Sequence, residues 1–176
     1  MDTLVHISSA IQTLLIHSDL VEWFVSIGVL HALGVLLNIP TLHYDKKQYT
    51  VLTESLNSLK IIAKTSDDLK LKVANTSCLS AALQLCSERD ASISLVAATV
   101  VSLIAQHPRT HDQILAVPNV LRTILFKVSN SADDQITEQM LKILEVLSRG
   151  NNEIKHSITA EDAACGGVLA KVFQSN

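Results

Sequence analysis

Aromatic residues make up 3% of this chain and charged residues 18%, and only three prolines and three cysteines are spread over its 176 positions. Charge at that level is below the roughly 25% of an average globular domain. A formal net charge of −3 without a long basic cluster excludes a phosphate-binding track, which needs grouped Lys and Arg. The densest basic group, Lys60, Lys64, Lys70 and Lys72, is interrupted by Asp67 and Asp68 and reads as a solvated face. No nucleic-acid partner is expected. An odd cysteine count without C-x-x-C spacing speaks against a disulfide framework and a thiolate zinc site. Cys78, Cys86 and Cys165 read instead as buried thiols in a reducing compartment, an intracellular setting in cytoplasm or nucleus. The first twenty residues carry no basic segment ahead of their apolar ones, so no signal peptide is expected.

Catalytic motifs are missing as well. The chain has no P-loop, no G-x-G-x-x-G, no G-x-S-x-G and no H-E-x-x-H. His107 and His111 have the spacing of a metal pair, but Pro108 puts the start of that stretch in a loop and no third ligand stands nearby. His31, in an apolar run, reads as a core or rim residue. Cys78 and Cys86 have no adjacent His or cation to lower a thiol pKa. The pairs Asp67–Asp68, Asp133–Asp134 and Glu161–Asp162 fall in loops or at helix starts, where the helix dipole favours them. Gly166–Gly167 reads as a turn or a close helix contact. The expectation is a non-enzyme without metal or cofactor.

What the chain does have is aliphatic side chain: 48% of residues are hydrophobic and mean hydropathy is +0.31. Leu, Ile and Val recur at i, i+3, i+4 and i+7, which predicts an all-helical protein. Two stretches, 23–44 and 91–106, contain no Asp, Glu, Lys or Arg, and the first is long enough to raise the question of a membrane span. One phrase also repeats: apolar residues close a helix, then a small or polar residue leads into a charged loop. It appears as TLLIHSD, LKIIAKTSDD, VSLIAQHPRT and LEVLSRGNNE, anchored on Ile16, Ile62, Ile104 and Leu147 at intervals of 46, 42 and 43. Another aliphatic follows three of these anchors after eleven residues, at Val73, Leu115 and Ile158, with Phe24 as the counterpart in the first copy. Each leads into a further helical run.

A unit of about 42 residues with a short, a medium and a longer helix resembles the armadillo/HEAT class of α-solenoids. FVSIGVLHALGVLLN at 24–38 is similar to the armadillo phrase in which a first helix turns at Gly into a second. LVAATVVSLIAQHPRTHDQIL at 95–115 and EQMLKILEVLSRGNNEIKHSI at 138–158 look like a third helix, its loop and the next first helix. The resemblance covers nearly the whole chain and implies one right-handed superhelical domain over 1–176. Its units are 1–18 (partial), 19–65, 66–106, 107–149 and 150–176 (partial). Third helices are expected near 4–18, 51–65, 92–106 and 135–149. Neither end is conspicuously polar, so either more repeats or a partner is expected to cover the ends. In this frame Gly28 turns the uncharged run into two short helices and a loop, and the flanking charges show no one-sided basic bias, so no span is expected.

Peptide-binding armadillo proteins present an Asn from each third helix to the concave face, often with a Trp one turn earlier. The matching positions here are Leu15, Ile61, Leu103 and Val146, preceded by Ile11, Asn57, Thr99 and Lys142. The Asn ladder is absent, which argues against recognition of basic peptides. Two explanations fit the aliphatic row: a groove for an apolar or amphipathic segment of a partner protein, or plain core. The first is the functional expectation, a protein-interaction scaffold. Its rivals are an obligate structural subunit or homo-oligomer using its end faces, and a membrane-associated protein. The loop over 38–50 offers Tyr44, Lys46, Lys47 and Tyr49 as further contact candidates.

Overall fold

The computed structural model describes residues 1–39 and 45–174. Among them every regular element is helical. Four long helices carry the repeated phrase: α1 (Asp2–Leu15), α4 (Lys46–Thr65), α7 (Ala91–Ala105) and α10 (Asp134–Ser148). Between them run pairs of shorter helices: α2 (Ser18–Ser26) with α3 (Val29–Leu37), and α5 (Asp67–Ala74) with α6 (Ser77–Leu85). A 3₁₀ turn (Pro108–Thr110) and α8 (His111–Leu115) then precede α9 (Val120–Asn130), and α11 (Asn152–Ala164) precedes α12 (Val168–Gln174).

Short polar residues set the starts. The side chains of Asp45, Ser66, Thr76, Asp90, Asp133 and Asn151 each accept a hydrogen bond from a backbone N–H in the first turn of α4, α5, α6, α7, α10 and α11. Each such cap satisfies donors that the helix cannot pair internally. Gly28, at φ 99°, occupies the left-handed region and breaks the first uncharged run, so α2 and α3 meet at 78°. The second run turns by 115° between α7 and the 108–115 segment. Among the described residues no single helix is long and apolar enough to cross a membrane.

The long helices stack in order, α1 on α4, α4 on α7, α7 on α10, while α3 lies on α6 behind them. The interior is almost wholly aliphatic. Leu33, Leu56, Leu59, Ile93, Ile114 and Leu125 are fully buried or nearly so, each contributing about 1.5–3 kcal/mol of apolar transfer.

Two expectations need correction. The repeat register of the first unit is one residue earlier than the sequence phrase suggests. Leu15, Ile62, Ile104 and Leu147 are all at 0% exposure, whereas Ile16 is 67% exposed. Helix α1 ends at Leu15 and Ile16 is its C-cap, already turned away from the core. The connector expected over 38–50 is also shorter. Asp45 and Gln48 form a reciprocal capping box, each side chain bonded to the other's backbone, and this starts α4 at Lys46.

Candidate protein-binding surfaces

On α4 the half-buried residues Thr53, Glu54, Asn57 and Ile61 form a stripe at i, i+3, i+4 spacing, while Leu52, Leu56, Ser58, Leu59 and Ile62 around it are buried. The same offsets on α7 leave Leu95, Val96, Thr99 and Leu103 half-open. On α10 they give exposed Lys142 and half-buried Val146. Because α4, α7 and α10 are stacked neighbours, Ile61, Leu103 and Val146 line up across one side of the long-helix layer, with Asn57, Thr99 and Lys142 a turn before them. Ile11 is half-buried and Leu15 lies in the core. With the corrected register, Ala10 and Leu14 hold the equivalent places on α1, and both are exposed. Beside this stripe the hydroxyls of Ser8 and Ser9 donate to the Glu54 carboxylate at 2.5 and 2.8 Å, which ties α1 to α4.

The loop candidates separate. Lys46, Lys47 and Tyr49 belong to the first turn of α4 rather than to a connector, and Tyr44 lies outside the described residues. Lys47 pairs with Asp2 at 2.6 Å, and this hydrogen-bonded ion pair holds the Asp2 carboxyl below its ordinary pKa. Tyr49 packs against the core and Lys46 is exposed.

His107, His111 and Cys78 have local hydrogen-bond partners. His107 caps the 3₁₀ turn, its Nδ1 accepting from the Arg109 N–H at 3.3 Å. His111 Nε2 donates to the Ala105 carbonyl at 2.8 Å. The Cys78 thiol donates to the Leu30 carbonyl at 3.1 Å, joining α6 to α3. Burial raises the Cys78 thiol and pushes Cys86 up to about 12. A thiol held neutral in this way is a poor nucleophile. Native protein at neutral pH is therefore expected to react with Ellman's reagent at Cys165, with Cys78 and Cys86 reacting only on unfolding. The same shift predicts alkaline destabilisation. Above the ordinary thiol value of 9.0 the unfolded chain loses the Cys86 proton that the folded chain keeps, so stability falls with pH from there to about 12. Thermal melts across that window should show the fall lessened in Cys86→Ala.

The two ends of the stack are apolar, as the lack of conspicuously polar terminal segments suggested. At one end α10, α11 and α12 enclose an open groove of about 740 Å³, floored by Leu141, Leu144, Ile158 and Leu169 and edged by Lys142 and Lys155. At the other end, Ile7 and Leu14 on α1, Leu20 and Trp23 on α2 and Ile27 at its C-cap are exposed.

No protein-family model and no curated protein matches this chain. Solved structures do. Computationally designed armadillo repeat proteins for modular peptide recognition superpose with a TM-score of 0.79 at 18% identity, over 99% of this chain and 69% of that one. A designed armadillo repeat protein in complex with the peptide (KR)4 gives 0.74 at 16% identity, over 97% and 66%. An engineered protein gives 0.76 at 19% identity, over 93% and 64%. This chain thus spans about two thirds of the length of the structures it matches. Identities this low speak to architecture, and the architecture is an armadillo-like α-solenoid, a right-handed superhelix of stacked helices.

Proposed function

We propose that this protein is a non-enzymatic interaction module that takes an apolar or amphipathic segment of a partner protein along its long-helix row, inside the cell. The observation that carries this reading is the partial exposure of Ile61, Leu103 and Val146 on three successive helices. Aligned aliphatic side chains left half in water gain about 25 cal/mol for each Å² a partner covers, before association costs. The flanking Asn57, Thr99 and Lys142 supply polar edges. An amphipathic helix presenting residues at i, i+3, i+4 and i+7 suits such a row. Two of the solved neighbours are described as peptide-recognising or peptide-bound, which supports a groove-binding role here. The (KR)4 ligand does not carry over: the six row positions on α4, α7 and α10 hold no carboxylate to meet a basic peptide.

Selection from a displayed random-peptide library tests this directly. The expected winners have aliphatic residues at helical spacing, and Leu103→Asp lowers their affinity at least tenfold while circular dichroism stays native. Winners that are basic and extended, or binding that survives Leu103→Asp, would overturn the reading.

A further inference from the structure

We infer that the two apolar ends form one interface, with helix α1 of a second copy seated in the groove between α10, α11 and α12, so that copies stack head to tail. The groove is where a further long helix belongs. Counted from the buried anchors, Leu141, Leu144 and Ser148 on α10 match Leu56, Leu59 and Ala63 on α4, which are buried at 0% with α7 as the next helix in the stack. The matching Ala98, Val101 and Ala105 on α7 are likewise buried, with α10 beyond them. On α10 the same side opens into the groove.

Helix α1 is a long helix of the same type, 14 residues against 15 in α10, and among the described long helices it packs on α4. Its Leu4 and Ile11 match Val51 and Ser58 on α4, and Ile93 and Val100 on α7, all at 0% exposure. On α1 those two positions are half-open, and Ile7 and Leu14, which complete an i, i+3, i+7, i+10 stripe and match the half-open Glu54 and Ile61 of α4, are each 42% exposed. Seven of the nine exposed large apolar side chains among the described residues fall in the first 27 positions. The intramolecular packing of α4 on α1 would be repeated between copies, continuing the stack already built three times within the chain.

Charge agrees with this pairing. The first 45 residues contain no Lys or Arg, and of their four carboxylates Asp2 is paired with Lys47 and Asp45 caps α4. On the groove edge Glu145 is held by Arg149 at 2.7 Å. That leaves Lys142 and Lys155 against Glu138, a net positive rim, and neither α1 nor α2 carries a Lys or Arg to oppose it. Such a contact joins different surfaces on the two copies, so it does not close after two and propagates along an axis or around a ring.

Sedimentation velocity over a concentration series tests the inference. The expected result is a mass that climbs past two copies as concentration rises. Leu141→Glu blocks the groove and Ile11→Glu blocks the α1 stripe, so each alone should sediment as a monomer with native circular dichroism. An equimolar mixture of the two should give a dimer that grows no further, because one intact groove meets one intact α1. Leu169→Glu and Leu4→Glu serve as the second pair where either first choice fails to fold. A monomer at every concentration would assign the groove to some other occupant and overturn the inference. So would a dimer that stops at two copies without substitution, or assembly that resists both variants.

Discussion

Ile104→Asp is expected to leave the chain without cooperative helical structure, while Leu103→Asp, one residue earlier, leaves it folded. The chemistry of the two changes is identical and only the direction of the side chain differs. Ile104 is fully buried, while Leu103 is half-open on the row. Truncating a buried Ile costs about 2–5 kcal/mol in packing alone. A carboxylate in its place adds several more, whether it ionises without a partner or takes up a proton to stay neutral. The total reaches the roughly 5–15 kcal/mol by which a domain of this kind is stable. Far-ultraviolet circular dichroism and a urea titration read the difference. If Leu103→Asp also abolished the fold, the row would be core, and the proposed binding surface would fall with it.

This neighbouring pair also shows where sequence periodicity succeeds. The anchors Ile62, Ile104 and Leu147 were recognisable because an aliphatic residue that must be buried in every unit leaves a recurrent phrase, and all three lie at 0% exposure. Gly28 marked the turn between α2 and α3 because few residues other than Gly tolerate its positive φ. The first anchor was misplaced by one. TLLIHSD offers Leu14, Leu15 and Ile16 in a row, and hydrophobicity cannot rank three adjacent aliphatics by direction. The start of α4 was legible in the D-x-x-Q spacing of Asp45 and Gln48, yet the lysines and Tyr49 that follow look like loop composition. The groove at the α10 end was beyond reach for a different reason. Leu141 and Leu144 look the same in sequence as Leu56 and Leu59, and only the presence or absence of a neighbouring helix separates a core position from an open one.

Gly34→Leu is expected to destabilise the protein by about 1–3 kcal/mol, the range for forcing extra volume into a packed contact. Gly34 lies within α3 where that helix meets α6, and a Cβ placed there would collide with the Ser77 hydroxyl and stand 3.6 Å from the Cys78 sulfur. A helix-interior Gly otherwise sacrifices about 0.5–1 kcal/mol relative to Ala, so its presence here is accounted for by the close crossing. The two substitutions at this site should differ sharply. Ser77 is exposed and its Oγ can swing toward solvent, so Gly34→Ala should cost little or be offset by its better helix propensity. Leu cannot be accommodated that way, since its larger side chain also meets Cys78, whose thiol-to-carbonyl bond to Leu30 holds α6 on α3. Urea midpoints for the two variants, and for each combined with Ser77→Gly, separate the terms. Removing the Ser77 side chain should recover the Ala variant fully and the Leu variant only in part, because the Cys78 contact remains. A Gly34→Leu protein as stable as the parent would mean that α3 and α6 do not cross as closely as the geometry requires, and the spacing of the second-helix layer would have to be wider than it is here.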